Sequence, residues 1–256
     1  MAGVRVEDND GARWIRFDRP EKRNALRIED VESIRAAVNQ APGEGCSSIV
    51  FTGGVRDFSA GADVSGFRAT PADSALDVSG DSPGQRMLQE VRTCQLPTIA
   101  AIEGYCVGLA MDLTAVCDIR VASRSARFSM PEVKIGLPVI GEASLFERYI
   151  GLTRAKEMLL TGRWYSAEQM ADWGYLNQLT DIGEAEKTAQ PYVDEFRRLP
   201  ARTLAAQKRI FEAWLQLPQR EASRVSILEY AVTTAHPETR RWVEQYKTTR
   251  SNGSKA

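Results

Sequence analysis

Thr98-Ile99-Ala100-Ala101-Ile102-Glu103-Gly104-Tyr105-Cys106-Val107-Gly108-Leu109-Ala110-Met111-Asp112 is the stretch on which the fold turns. Its first five residues are a continuous apolar run, the pattern of a strand buried on both faces. Gly104 and Gly108 punctuate a turn, and Leu109 to Val116 follows as a short apolar helix. A strand that runs through a glycine turn into a helix is the unit of an α/β core. The first turn of that helix leaves backbone N–H groups near Leu109 without intrahelical acceptors. The same end carries partial positive charge, so it suits a developing anion. Glycine turns before helices are common, so taken alone the pattern marks a turn and nothing more.

Reading outward, the same alternation recurs. Trp14 to Phe17 predicts a strand that ends before Arg19-Pro20. Ile28, Val31, Ile34 and Val38 fall at helical spacing, which predicts a helix over 28–40, closed by Pro42-Gly43. Ser48 to Thr52 predicts a buried strand that ends at Gly53-Gly54, and Phe58-Ser59-Ala60-Gly61-Ala62-Asp63 is a second glycine-bearing turn behind it. Residues 69–84 read as a loop rich in small and polar residues. Met87, Leu88 and Val91 begin another helix, and Ile119 to Ala122 is a further strand. From about residue 143 the pattern is almost wholly helical, with Pro200, Pro218 and Pro237 separating helices. Ser251 to Ala256 reads as a polar tail. This organisation predicts an α/β core over 1–199 and a C-terminal helical region over 200–256.

Composition narrows the function. The 256 residues carry 33 Lys+Arg against 34 Asp+Glu, so no global basic excess points to nucleic acid or an anionic membrane. Mean hydropathy is −0.33, and no apolar run approaches the ~18 residues of a membrane span. The N-terminus lacks the apolar core of a signal peptide. Cys46, Cys94, Cys106 and Cys117 form no C-x-x-C pair, which argues against a zinc ribbon or a thioredoxin-type motif and fits a reducing, cytoplasmic setting. His236 is the one histidine, and no G-x-S-x-G elbow accompanies it, so carboxylates are the expected proton carriers.

Three carboxylates stand in informative places. Asp112 lies three residues beyond Leu109 and shares its helix face, so it could reach a group held at the Leu109 N–H. An aspartate in a first turn also simply complements the helix dipole. Glu132, between Pro131 and Gly136, is either a buried acid/base or a loop-fixing hydrogen-bond acceptor. Asp118, in Val-Cys-Asp-Ile-Arg, is expected to pair with an arginine.

Taken together, these segments resemble the crotonase (enoyl-CoA hydratase/isomerase) superfamily. The likeness is carried by Arg-Pro-Glu-Lys-Arg-Asn-Ala-Leu near the start, the two glycine turns, Gln-Leu-Pro-Thr-Ile-Ala-Ala-Ile and Val-Cys-Asp-Ile-Arg-Val-Ala. Phe-Ser-Met-Pro-Glu-Val-Lys-Ile-Gly-Leu, Arg-Ala-Lys-Glu-Met-Leu-Leu-Thr-Gly-Arg and Ser-Ala-Glu-Gln-Met-Ala-Asp-Trp-Gly-Tyr-Leu-Asn extend it. It covers about residues 12–247. The resemblance implies a spiral of β-β-α repeats with a C-terminal helical region that assembles as a trimer or a dimer of trimers. It implies an acyl-CoA thioester as substrate, with no further cofactor and no metal, and an oxyanion hole formed by the Ala62 and Leu109 N–H groups. The family's two hydratase carboxylates fall on Asp112 and Glu132. The substrate and its CoA portion would lie along Arg23, Ala25, Leu26, Ala60, Asp63 and Val64, with Gly108, Pro131 and Leu137 beside the reacting end. Lys22, Arg23, Arg68 and Lys247 are candidates to approach CoA, although solvated surface charge is an ordinary role for each.

Three departures bear on the reaction. The usual Gly-Gly-Gly reads Gly108-Leu109-Ala110, so a leucine side chain enters the pocket while its N–H stays a donor. Asp112 is one methylene shorter than the usual glutamate. Leu137-Pro138-Val139-Ile140-Gly141-Glu142 is bulkier than the usual loop and adds a third carboxylate, which either joins the site or opens the next helix. Asp112 with Glu132 is similar to the pair in dienoyl-CoA isomerases, which have an acid where this chain has Ile140. Hydration of a 2-enoyl-CoA is preferred narrowly over double-bond isomerisation, with hydrolysis or decarboxylation on the same scaffold and non-catalytic acyl-CoA binding as further alternatives. Residues 69–84 and 137–146 are expected to shape the acyl pocket.

Overall fold

The computed structural model describes residues 3–66 and 82–253. A six-stranded sheet carries the fold. It comprises β1 (Val4–Asn9), β2 (Ala12–Phe17), β3 (Ser48–Thr52), β4 (Thr98–Ile102), β6 (Ile119–Ser123) and β9 (Gln178–Thr180), in that spatial order. β1 pairs antiparallel with β2 through a tight turn at Asp10-Gly11, and every later pairing is parallel. β3 and β4 are buried along their whole length, as central parallel strands covered on both faces must be. A second, three-stranded sheet holds β5 (Tyr105–Val107), β7 (Arg127–Ser129) and β8 (Tyr165–Ser166). β4 turns directly into β5, and β6 into β7, so successive passes of the chain place one strand in each sheet. That is the spiral of repeats expected from the sequence.

Helices cover both faces of the large sheet. α1 (Ile28–Gln40), α2 (Pro83–Thr93) and α3 (Leu109–Val116) pack on one face, where Ile15, Phe17, Ile49, Phe51, Ala100 and Ile102 meet Val31, Ile34, Leu88 and Met111. On the other face Trp14, Val50, Ile99 and Ala101 meet Ala185, Ala189 and Val193 of α6 (Ala185–Arg198). The side-chain period of two along a strand sends alternate residues to these two cores. α4 (Leu145–Thr161, broken at Gly151) and α5 (Ala167–Asp172) close the larger core. α7 (Ala201–Gln216), α8 (Gln219–Ala235) and α9 (Pro237–Gly253) form the C-terminal helical region.

Several sequence expectations need correction. The region after residue 143 is almost wholly helical as expected, with two short strands, β8 and β9, that the pattern does not announce. Tyr165 is buried within β8, whereas Trp164 is half exposed and meets Tyr105 edge-on at 5.3 Å. The last helix runs through Ser251 to Gly253, into the stretch read as a tail, and Ser254 to Ala256 lie outside the described residues. Among the described residues Asp118 takes no arginine. It accepts from the Thr98 N–H and hydroxyl at 2.7 and 2.9 Å and from Lys208 Nζ at 2.5 Å. Among the described residues no helix is long and apolar enough to cross a membrane.

Candidate active site

The site is built where three extended segments lie side by side. Ala60 N–H donates to Arg23 O at 2.8 Å, Leu26 N–H to Gly61 O at 2.7 Å, and Asp63 N–H to Leu26 O at 2.8 Å. On the other side Ser59 N–H donates to Tyr105 O and Val107 N–H to Ser59 O. Residues 59–63 are thus zipped between 23–26 and 105–107. Asn24, buried and in the left-handed region at φ 57°, holds the bend. Its side-chain amide donates to Gly53 O and Asp57 O.

Two glycines let the segments close. At Gly61 (φ 86°) a Cβ would fall 2.4 Å from Val107 O and 3.2 Å from Leu109 N, so only glycine brings this peptide against the start of α3. Gly108 precedes α3 at φ 54°, ψ −123°, and a Cβ there would fall 2.6 Å from Glu132 Oε1. In this arrangement the Ala62 and Leu109 N–H groups neighbour one another, and neither donates to any acceptor among the described residues. Gly108 N–H, by contrast, is taken by Ser129 O.

Two carboxyls lie nearby, Glu132 beside Gly108 and Asp112 on α3 itself. Asp112 sits one turn into α3, its N–H donating to Gly108 O. Its side chain is buried, and Oδ1 has no hydrogen-bond partner. Burial, then the neighbouring Glu132 and Glu142 carboxylates, push this carboxyl well above the usual range. Glu132 begins a 3-10 turn over Glu132–Ile135, seated over Gly108, with Pro131 preceding it and Leu137 N–H returning to its carbonyl. Its Oε2 is also unpartnered, and burial raises its proton affinity. The third carboxylate is paired with a cation. Glu142 opens the Gly141–Ser144 3-10 turn before α4 and meets Arg92 Nη1 at 2.6 Å.

The structure separates the remaining expected residues by role. Leu26 is buried in the zipper, Ala25 is partly buried, and Val64 is exposed. Arg23 is exposed, its guanidinium 4.4 Å from the Tyr105 ring. Asp63 is occupied internally. Ser65 and Arg19 hold its carboxyl down to about 2, the Arg19 contact being 2.9 Å. The Leu109 side chain packs toward Gly84 of α2, where a Cβ would meet its Cδ1 at 3.5 Å. Val139 packs on the core, while Pro138 and Ile140 are exposed. Arg68 and residues 69–81 lie outside the described residues. The buried cysteines are inert. Burial pushes Cys117 up to about 12 and Cys106 further.

Sequence reading missed the arginines that brace the site. Arg120 is buried and donates to Thr114 O, Cys117 O and Tyr175 O, fixing the C-terminal end of α3, with the Tyr149 and Tyr175 rings against its guanidinium. Glu103 is buried at the turn from β4 into β5. It accepts from Ser125 Oγ and from the Gly183 and Ala185 N–H groups, tying α6 to that turn.

The sheet-and-helix spiral thus brings two unengaged amides, the buried Asp112 and the half-buried Glu132 into one region of the fold. Comparison with known proteins identifies the family. Residues 7–252 match the model of the enoyl-CoA hydratase/isomerase family, and the chain belongs to that family. A "Probable enoyl-CoA hydratase" of Rhodobacter capsulatus is 31% identical, covering 84% of this chain and 83% of its own. A carnitinyl-CoA dehydratase of Salmonella enteritidis is 29% identical over 75% of this chain and 74% of its own. The crystal structure of an enoyl-CoA hydratase from Thermoplasma volcanium superposes with a TM-score of 0.87 at 25% identity, covering 96% of this chain and 98% of that one. One from Mycobacterium smegmatis has the same fold, with a TM-score of 0.89 at 22% identity over 97% of each.

Proposed function

We propose that this enzyme holds an acyl-CoA thioester with its carbonyl oxygen between the Ala62 and Leu109 N–H groups, and that it adds water across a 2-enoyl-CoA. The observation that carries this reading is the pair of neighbouring amides without protein acceptors beside two buried, unpartnered carboxyl oxygens. Donors aimed at a developing oxyanion are worth about 2.7–4 kcal/mol each to a transition state. Polarising the thioester makes the β-carbon electrophilic and the α-carbon basic once water adds. Two like-charged carboxyls in one buried site favour sharing a single proton. Burial and acidic neighbours favour the shared proton on Asp112 and leave Glu132 ionised, the state that runs the dehydration direction, in which Glu132 takes the α-proton and Asp112 protonates the departing hydroxyl. Hydration is the same path reversed: the proton first passes from Asp112 to Glu132, Asp112 then takes a proton from water as the hydroxyl adds to the β-carbon, Glu132 delivers its proton to the α-carbon, and the pair ends with one proton as it began. Arg23, Ala25, Leu26, Ala60, Asp63 and Val64 serve as the CoA-side track, with Gly108, Pro131 and Leu137 beside the acyl group. The substrate supplies its own CoA, and the reaction needs neither metal nor redox cofactor.

Isomerisation is the second reading, favoured by the Leu109 side chain and Val139 narrowing the pocket against water. Exposure of Pro138 and Ile140 weakens it, because neither then helps to dry the site. Incubation in D₂O with crotonyl-CoA, a 3-enoyl-CoA and a 3,5-dienoyl-CoA, read by mass spectrometry and NMR, separates the outcomes. Gain of water supports hydration, and a moved double bond without added water supports the isomerase. Free acid or CO₂ marks a hydrolase or decarboxylase, and retained thioester bound without turnover marks a binding protein. The mevalonyl-CoA hydratase of Aspergillus fumigatus, 32% identical over 68% of this chain and 65% of its own, adds hydroxylated acyl-CoAs to that panel.

The same reading makes residues 200–256 a self-association region. Ile227, Leu228, Tyr230 and Val232 of α8 are each 64–70% exposed in the single chain, which a second copy would cover in a trimer or a dimer of trimers. It also sets the protein in the cytoplasm, where four buried, unpaired cysteines are stable as thiols.

A further inference from the structure

Arg92, near the end of α2, meets two carboxylates from different parts of the chain. Nη1 lies 2.6 Å from Glu142 in the turn before α4, and Nε lies 2.7 Å from Glu212 of α7, off the hydrogen-bond axis. Arg92 and Glu142 are each 14% exposed, so this pairing is little screened. Two turns earlier on α2, Gln85 lies against Gly141, where a Cβ would fall within 2.1 Å of its Oε1. Helix α2 therefore holds the Gly141–Ser144 turn through Gln85 and Arg92, that turn packs on α3, and its Glu142 is close enough for its charge to act on Asp112.

The groups around Asp112 are mostly acidic or neutral. Glu132 faces it from its own 3-10 turn and Glu142 from the next. β5 contributes the Cys106 thiol, and α4 the Tyr149 phenol, which donates to Ala115 O, with Glu147 and Arg148 exposed beyond it. On α2, Glu90 pairs with Arg35 of α1, and Arg92 meets Glu142. An unpaired Glu142 would add a second bare negative charge to a buried site that already holds Glu132.

We propose that Arg92 is a positioning residue that neutralises Glu142 and so governs whether Asp112 can ionise beside Glu132. Glu142 is then the ballast of the site and takes no part in proton transfer, and α7 reaches the site through Arg92 and Glu212. This rests on Asp112 belonging to the active site, but its test needs no turnover. The carboxylic-acid band of Asp112 can be titrated by infrared difference spectroscopy, with Asp112→Asn supplying the assignment.

Glu142→Gln is expected to lower the Asp112 midpoint by about one pH unit, the order set by one charge several Å away at an effective dielectric near 20. Arg92→Gln is expected to raise it by a similar amount, and both the double variant, which removes the two opposite charges together, and Arg92→Lys to stay near the parent. An Arg92→Gln midpoint that stays at the parent's marks a merely structural Arg92 and overturns the proposal, as do shifts of the same sign in the two single variants. If Arg92→Gln does not fold, an unmoved midpoint in Glu142→Gln overturns it alone. Intact shifts in a protein that turns over no thioester would instead refute the hydratase reading and leave this one standing.

Discussion

At the scale of single residues the site depends on what glycine permits and what burial does to carboxyls. Gly108→Ala forces a side chain onto a backbone at φ 54°, ψ −123° and toward Glu132 Oε1. Its strain is worth about 1–3 kcal/mol, so loss of urea stability of that size is expected, together with loss of turnover. Glu132→Gln keeps the shape and removes the proton carrier. Turnover should fall about 10³-fold, within the range for a positioned acid/base, while CoA-thioester affinity by calorimetry changes little. Unchanged turnover would remove Glu132 from the mechanism under hydration and isomerisation alike.

At the scale of elements, α3 is held at both ends. Its first turn presents Leu109 N–H, and Arg120 satisfies the carbonyls at its last turn. Hydrogen bonds from a charged group are worth about 1.5–3 kcal/mol, and carbonyls left buried without partners add to the loss. Arg120→Met should therefore destabilise the protein by about 3 kcal/mol in urea unfolding, with turnover falling further than thioester binding as Leu109 drifts. What the sequence disclosed at this scale divides by range of interaction. α1, β3, β4 and α3 have the bounds read from periodicity and apolar runs, because Ile28 to Val38 and Thr98 to Ile102 carry their own pattern. β5, β8 and β9 span three, two and three residues and exist through pairing with distant strands, so no local pattern announces them. β1 alternates Val4 and Val6 with charged residues, a signal that was present but not read. Asp112 and Glu132 were legible as types in position. Arg92 and Arg120 were not, since a buried arginine's partners are carbonyls and acids brought from elsewhere by the fold.

For the molecule as a whole, opposite carboxyl shifts predict opposite pH responses. Asp30 and Asp63 are held down in the folded state. Burial opposes this at Asp30, but the Arg27 contacts prevail, and Ser65 and Arg19 act on Asp63. Their contribution is present above the ordinary carboxylate range and is lost as pH falls through the folded values, reaching about 2 for Asp63. Asp112 runs the other way. Its folded affinity for the proton is raised, so its stabilising share is complete below the unfolded value and fades as pH climbs through the folded one. Asp112→Asn should accordingly gain stability over the parent at pH 8–9 and lose that advantage near pH 4, measured by denaturant unfolding at each pH. A constant difference across pH would mean that Asp112 titrates normally. Charged replacements at Ile227 and Leu228 should shift sedimentation toward the monomer while leaving the fold intact by circular dichroism.

The large sheet has a further property in its strand order. β1, β2, β3, β4, β6 and β9 lie across it in the order in which they occur along the chain. No strand has to slip between two that are already paired. During synthesis the first hairpin can form as soon as it leaves the ribosome, and each later strand docks on the single growing edge. Chain growth at about 5–20 residues per second spaces those arrivals by seconds. The protein can thus mature as a row extended from one side, with its final edge strand, β9, set in place only after α3 and both carboxyl-bearing segments have already emerged.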